Sequence, residues 1–194
     1  EYQNSGIENC PDSNWAEWER SGNCPKSQCS SNHYHQLDRT IGQLQDLGVN
    51  SYRFSVEWSK MEPVDGEFDE SVFEHYSEMV DRLLAVGIEP MITLHHFTHP
   101  EWLEEKGGFR VQANNRFLVR FAKRIFERLS DRVRLWGTIN EPGVFATQGY
   151  SKGIFPPGEK WSLANTTLIT KNLLMAHLDI YRALKAMPNG DWAQ

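Results

Sequence analysis

Leu135-Trp136-Gly137-Thr138-Ile139-Asn140-Glu141-Pro142 is the stretch of sequence that decides the fold of this chain. An apolar run stopped by an amide, a carboxyl group and a proline predicts a buried strand that ends in a loop. We expect Pro142 to push Glu141 towards an extended backbone and so to hold both polar side chains at the strand's carboxyl end. Many parallel-sheet enzymes carry their catalytic residues at that end. The alternative is a strand that ends in a polar turn by chance.

Helical and strand-like patterns alternate along the chain from Ser31 onward. Apolar residues at helical spacing predict helices around residues 37–44, 73–84, 117–126 and 168–187, and glycines end the first two. Strand-like patterns follow the first three helices and predict strands at 49–56, at 88–94 and from 135. Repeated helix and strand patterns of this kind are typical of consecutive βα units in a parallel sheet.

Such a sheet either stays open or closes into a barrel. An open, doubly wound sheet usually carries a glycine-rich phosphate loop after its first strand, and none appears here. Arg53, His96 and Glu141 are predicted to end three successive strands, as in the active site of a barrel. We therefore expect a TIM (β/α)8 barrel of which residues 1–194 form about the first four βα units, the N-terminal half of a single catalytic domain. Residues 191–194 stand where the next strand should begin.

Composition excludes several classes of partner. The 194 residues are 39% hydrophobic and carry a net charge of -6, which disfavours nucleic acid and anionic membranes as partners. No stretch approaches the ~20 apolar residues that cross a bilayer, and no secretory signal is visible, so we expect a cytoplasmic location. Cys10, Cys24 and Cys29 are odd in number and lack zinc-site spacing; Cys24 and Cys29 either close a small loop or, as the default, stay reduced thiols.

The three strand ends suit glycoside hydrolysis, in which one carboxylic acid protonates the departing oxygen and a second carboxylate attacks the sugar or activates water. Glu141 is the candidate acid, and Asn140 can hydrogen-bond a sugar hydroxyl or, alternatively, cap the turn. Arg53 stands in an otherwise apolar or small-residue strand. It needs a carboxylate partner if it points inward, and the alternative is a solvated strand edge.

His95, His96 and His99, with two upstream histidines, raise the question of a metal site. Adjacent residues at a strand end point to opposite faces, so His95 and His96 do not easily share one ion. A neutral histidine that hydrogen-bonds a sugar hydroxyl is favoured instead, and we expect neither a metal nor a cofactor. His99, next to Pro100, is expected in a loop, and His177 in the core of the last helix.

At this point the residues match a known family: the chain resembles glycoside hydrolase family 1, the β-glucosidase and β-galactosidase group. Asn-Glu-Pro alone is shared by several related barrel glycosidase families. More discriminating are the order and spacing of a set of motifs that runs nearly end to end. The set comprises Tyr52-Arg53-Phe54-Ser55-Val56-Glu57-Trp58-Ser59, Gly87-Ile88-Glu89-Pro90, Thr93-Leu94-His95-His96-Phe97, Gly107-Gly108-Phe109, Gly149-Tyr150 and Asn172-Leu173-Leu174-Met175-Ala176-His177.

This resemblance implies a β-glycosidase that removes terminal β-linked sugars by a retaining double displacement. Glu141 would act as acid and then as base, and Asn140 would bind the sugar's 2-hydroxyl. His96 and Gln3 would hold outer hydroxyls of the terminal sugar, and Arg53 would keep the nucleophile ionised. The resemblance also implies a pocket with little water that keeps the acid protonated before attack.

The chain also departs from the family pattern. The family's nucleophile is a glutamate in a Thr-Glu-Asn-Gly-like motif on the seventh strand, and these 194 residues contain no such motif. Phe97-Thr98 replaces the commoner Trp-Asp after the histidine. A missing C-terminal half-barrel is therefore the expected partner that completes the site around a small carbohydrate. The alternative is a catalytically inactive carbohydrate-binding or regulatory pseudoenzyme.

Overall fold

The computed structural model describes residues 12–27 and 32–194. Within them, eight α-helices and three β-strands follow one another, with short 3-10 turns between some of them. They are α1 (Asn14–Arg20), α2 (Leu37–Asp46), β1 (Ser51–Ser55), α3 (Trp58–Met61), α4 (Glu70–Ala85), β2 (Glu89–His95), α5 (Glu101–Glu105), α6 (Asn115–Leu129), β3 (Leu135–Ile139), α7 (Pro142–Tyr150) and α8 (Leu163–Lys185).

The three strands form one parallel sheet in the order β1-β2-β3. Thr93 of β2 pairs with Ser55 of β1 and with Gly137 of β3. On the outer side of β3, Gln194 donates its backbone N–H to Arg134 O (2.7 Å), and Trp136 donates to Gln194 O (2.8 Å). This hydrogen-bond pattern is that of neighbouring parallel strands, so the placement predicted for the last residues is confirmed at Gln194.

Amphipathic helices cover one face of the sheet. In α4 the cap residue Asp69 accepts from the Ser71 N–H at 2.9 Å, and the apolar face of the helix is buried. The apolar face of α6 is buried in the same way, and Phe126 lies against Trp136 of β3 with ring centroids 5.1 Å apart. This burial accounts for the apolar residues on that face of β2, since Ile92 and Leu94 are both 0% exposed.

The other face of the sheet carries polar side chains. Arg53 and Ser55 alternate with the buried Phe54 along β1, and Arg53 hydrogen-bonds Thr93 of the neighbouring strand. Parallel strands end at the same edge, so the residues that follow β2 and β3 lie close to this polar face. The fold thereby brings the candidate residues to one place.

The observed elements match the sequence predictions closely, with shifts at their ends. All three strands and the four long helices are present, but α8 begins at Leu163 and ends at Lys185, earlier than residues 168–187. No helix in residues 12–27 or 32–194 is both long and apolar enough to cross a membrane.

Candidate active site

Arg53 connects the three strands through its side chain. Its Nε donates to Thr93 Oγ1 at 2.8 Å, and its Nη2 donates to Asn140 Oδ1 at 2.6 Å. Arg53 is the third of five residues in β1, so the prediction that it ends the strand is wrong, although its long side chain reaches the carboxyl edge. The acceptors are a hydroxyl and an amide oxygen, where the sequence analysis expected a carboxylate.

Asn140 extends the β2–β3 ladder by one residue, because its N–H donates to His95 O at 2.8 Å. The side chain is 9% exposed, and its Oδ1 is occupied by Arg53. That bond fixes the orientation of the amide, and the NH2 group on the opposite side of the amide keeps its donor capacity. Asn140 is therefore held as a preoriented donor beside the polar face of the sheet.

Glu141 does not have the extended backbone predicted for it. Its φ of 42° and ψ of 61° lie in the left-handed region, and its side chain is exposed. The reason is that α7 starts immediately: Pro142 takes the first helical position, and Glu141 O accepts from Val144 N (2.9 Å) and Phe145 N (3.0 Å). A left-handed residue turns the chain sharply from strand to helix, and this demand overrides the local preference before proline.

His96 follows β2 directly and is half-buried. Its Nδ1 lies 3.1 Å from the Ser55 hydroxyl. Burial is the main cause that lowers the pKa of His96 to about 4; the positive charge of Arg53 also lowers this pKa, and the charge of Glu141 acts in the opposite direction. The imidazole is therefore neutral near pH 7 and can donate a hydrogen bond from one nitrogen while accepting at the other.

Arg53, His96, Asn140 and Glu141 thus meet at one edge of a parallel sheet, as the sequence predicted. Residues 12–191 match the family described as Glycosyl hydrolase family 1. The chain belongs to this family. Its three strands and their helices are accordingly part of a TIM (β/α)8 barrel, and the predicted fold class is confirmed.

Relatives of known name agree with this assignment. Beta-glucosidase A of Acetivibrio thermocellus is 32% identical over an alignment of 184 residues that covers 91% of this chain and 41% of that protein. A beta-glycosidase from Pyrococcus horikoshii is 36% identical, with a TM-score of 0.87 over 94% of this chain and 42% of the other. A beta-glucosidase from Thermotoga maritima in complex with methoxycarbonyl-substituted glucoimidazole is 27% identical, with a TM-score of 0.91 over 100% of this chain and 45% of the other. The chain spans less than half the length of each.

One predicted sugar-binding residue of this family 1 chain, Gln3, lies outside the described residues, as do Cys10 and Cys29. The role of Gln3 therefore stays a prediction. Cys24, the remaining cysteine, is a free thiol whose pKa is raised by burial and by the charge of Glu19.

Two buried histidines, His95 and His99, lie next to the site. His95 Nε2 lies 3.3 Å from His99 Nδ1, and His99 Nε2 lies 2.7 Å from Glu104 Oε1. His99 lies in a loop, as predicted, and is fully buried there. Burial holds the pKa of His95 well below its ordinary value. Across residues 12–27 and 32–194, no group of three or more His, Cys, Asp or Glu side chains is arranged to hold a metal ion. His95 and His99 therefore contribute packing and hydrogen bonds in this structure.

The observed positions of two further residues, His177 and Glu57, were not predicted from the sequence. His177, predicted in the core, is exposed and shares a 2.7 Å hydrogen bond with the hydroxyl of Thr138. Glu57, which the sequence analysis left without a role, is almost fully buried behind the site. It accepts from Thr98 Oγ1 at 3.0 Å, and burial raises its pKa. The only sequence signal for Glu57 is a carboxyl group within an apolar run, Val56 to Trp58.

Proposed function

We propose that this chain is the N-terminal half of the catalytic domain of a β-glycosidase that hydrolyses terminal, non-reducing β-linked sugars. The observation that carries the proposal is the meeting of Glu141, Asn140, Arg53 and His96 at one sheet edge, in a member of a glycosidase family. A C-terminal half-barrel would supply the second carboxylate and complete the pocket. The cytoplasmic location stays a prediction.

The proposed reaction has two steps. In the first, protonated Glu141 gives its proton to the glycosidic oxygen while the second carboxylate attacks the anomeric carbon. The carbon–oxygen bond breaks, the aglycone leaves as an alcohol, and the sugar is held as a glycosyl ester. In the second, ionised Glu141 takes a proton from water, whose oxygen attacks the anomeric carbon and releases the sugar and the carboxylate.

The other three residues have supporting roles in this proposal. The Asn140 NH2 group would donate to the sugar's 2-hydroxyl, a contact that strengthens in the transition state. Neutral His96 would bind an outer hydroxyl. Arg53, already fixed to Asn140, would place its positive charge near the second carboxylate and favour the ionised form that attacks.

The exposed position of Glu141 supports the need for a completing half. Among residues 12–27 and 32–194, none shields its carboxyl group from water, whereas a general acid must be protonated before it acts. Walls supplied by the rest of a barrel would desolvate Glu141 and favour its protonated form. The left-handed backbone at Glu141 holds the side chain at the rim, where those walls would enclose it.

The test uses a barrel completed by co-expressing this chain with the C-terminal half of the Pyrococcus horikoshii beta-glycosidase. Glu141→Gln is compared with Glu105→Gln, a change at an exposed carboxyl group at the end of α5. We expect Glu141→Gln to slow hydrolysis of a methyl β-glucoside by about 10³-fold, within the range for general acid catalysis, and Glu105→Gln to have no effect. Glycosylation by a 2,4-dinitrophenyl β-glucoside should be affected far less, since that leaving group needs no protonation.

Two results would contradict the proposal. Equal rates for Glu141→Gln and the unaltered protein on the methyl glucoside would remove Glu141 as the acid. Hydrolysis by the 194-residue chain alone would show that the nucleophile is not supplied by another half.

A second candidate function, a carbohydrate-binding or regulatory pseudoenzyme, is favoured by one observation. The contacts among Arg53, Thr93 and Asn140 form within this chain, without any second carboxylate. Sugar binding by the completed barrel with no turnover of either glucoside would support this function over the first.

A further inference from the structure

Asn14 is a buried amide that fastens the turn after β2, residues 96–100, called the His96 turn below. It is 4% exposed and stands at the start of α1. Its side chain donates from Nδ2 to Phe97 O (3.1 Å) and accepts at Oδ1 from the His99 N–H (3.0 Å). Its own N–H donates to His99 O at 3.0 Å. One residue thus holds both sides of Thr98, 83 to 85 positions away in sequence.

The His96 turn needs such support because its backbone is strained. Phe97 has a φ of 74°, in the left-handed region that side-chain-bearing residues rarely adopt. A residue in this region costs about 1–2 kcal/mol and persists only where its surroundings determine it. The two side-chain bonds of Asn14 hold Phe97 O and the His99 N–H, directly after the strained residue, and they require an acceptor and a donor on the same planar group. An amide supplies both, whereas a carboxylate supplies only acceptors.

Phe97 is directly bonded to His96, so its backbone angles set the orientation of the imidazole. The two rings are in edge contact, with centroids 5.1 Å apart, and His96 Nδ1 lies 3.1 Å from Ser55 Oγ. If Phe97 relaxed to a negative φ, the peptide between residues 96 and 97 would rotate and the Ser55 contact would be lost.

We propose that Asn14 is a positioning residue for sugar binding, which acts through Phe97 to hold His96 in its binding orientation. The inference rests on the proposed function in one respect, that His96 contacts a sugar hydroxyl. The site at one sheet edge would then depend on α1, a helix that precedes all three strands in the sequence.

The geometry also allows a clean substitution. The start of α1 is docked on the turn by backbone bonds, Asn14 N to His99 O and Glu101 N to Asp12 O (2.9 Å), which Asn14→Ala leaves in place. Asn14→Asp keeps the acceptor and replaces the donor with an oxygen that faces Phe97 O. A matched control is Asn114→Ala. Asn114 is 6% exposed, and its Nδ2 also donates to two carbonyls, those of Lys106 (3.0 Å) and Gly108 (2.9 Å).

The first measurement needs no activity. In the 194-residue chain labelled with ¹⁵N-histidine, we expect the ring signals of His96 to shift in Asn14→Ala and Asn14→Asp and to stay unchanged in Asn114→Ala. His96→Gln assigns those signals. Unmoved His96 signals in both Asn14 variants would overturn the proposal, whatever the enzyme does.

The second measurement uses the completed barrel with an aryl β-glucoside. We expect Asn14→Ala to raise KM about tenfold, within the range of coupling between residues in contact, with a smaller change in kcat. In a His96→Ala background the same substitution should change KM less than twofold. A lower Tm with an unchanged KM would mean a structural role only and would overturn the proposal. A barrel without turnover would overturn the proposed function, while the NMR measurement would still decide the role of Asn14.

Discussion

The turns that follow β2 and β3 are built in opposite ways. The His96 turn is enclosed and cross-braced: His99 is fully buried, and Asn14, Glu57 and Glu104 all bond into the turn or its flanks. In the turn after β3, residues 140–142, one side-chain hydrogen bond to the rest of the described chain is present, that of Arg53 to Asn140, and Glu141 is exposed. The groups proposed to hold the sugar are therefore prepared within this chain. The described residues do not enclose Glu141, the proposed acid, in the same way.

Among the side chains that hydrogen-bond within the two turns, the largest effect is expected at Asn140, which accepts from Arg53 in the turn after β3. In the completed barrel, Asn140→Ala should lower kcat for an aryl β-glucoside by about 10²-fold, because a preoriented donor to the transition state is lost and Arg53 loses its acceptor. Steady-state kinetics measures this, with Asn165→Ala as the control, since Asn165 donates to Glu159 away from the sheet edge. A fall of less than threefold would leave Asn140 a turn residue only.

Substitutions at the two turns should have different effects on the stability of the isolated chain. Glu104→Ala should lower the free energy of unfolding by about 1–3 kcal/mol, because the buried His99 ring loses its hydrogen-bond partner. Glu104→Gln should cost less, since an amide oxygen still accepts. Glu141→Ala, at an exposed position, should stay within about 0.5 kcal/mol. Urea unfolding measures all three, and equal losses at Glu104 and Glu141 would contradict the contrast between the turns.

Lowering the pH should decrease the stability of the folded chain through His95 and His96. The pKa values of His95 and His96 are both lowered in the folded chain, chiefly by burial, and that of His96 falls to about 4. The unfolded chain therefore binds more protons below pH 6.5, so stability is full above that pH and falls as the pH drops towards 4. The slope is at most about 1.4 kcal/mol per pH unit for each histidine.

Urea unfolding at a series of pH values tests this sign. His95→Gln should flatten the acid limb, whereas His177→Gln, at an exposed position, should leave it unchanged. An acid limb of undiminished slope in His95→Gln would assign the effect to other groups.

The smallest effect concerns the backbone of Glu141. Glycine adopts a φ of 42° without the cost that other residues incur, although it loses more entropy on folding. Glu141→Gly should therefore make the chain more stable than Glu141→Ala by about 0.5–1 kcal/mol, while hydrolysis by the completed barrel is abolished in both. Urea midpoints measure the difference. A less stable glycine variant would mean that the left-handed turn carries no strain.

Much of the fold could be predicted because buried apolar residues recur at regular spacing in the sequence. The four long helices show apolar residues at helical spacing, and β2 has Ile92 and Leu94 at alternate positions on the face that the helices cover. The helices α1, α3, α5 and α7 were missed since elements of four to nine residues hold too few turns for a period to emerge. Helix α3 depends instead on a cap, Glu57, which accepts from Ser59 N at 3.3 Å.

The site was predictable in part for a topological reason. Residues that follow parallel strands share an edge, so Asn140, Glu141 and His96 could be grouped from their positions alone. The contacts of Asn14 and the Arg53–Asn140 bond join residues more than 80 positions apart and leave no local signal. The left-handed backbone of Glu141 was mispredicted because the start of α7 outweighs the effect of the proline.

The hydrogen bonds of Arg53 depend on the register of the three strands. Its guanidinium passes from β1 over Thr93 to the residue after β3, beside Gly137, where an added Cβ would come within 3.3 Å of Thr93 Oγ1. A slip of one residue between any two strands would turn Arg53 or Thr93 to the opposite face and separate the bonded atoms. The Asn140 amide therefore has its observed orientation only when all three strands are in register, which ties the arrangement of the proposed sugar-binding residues to the strand pairing.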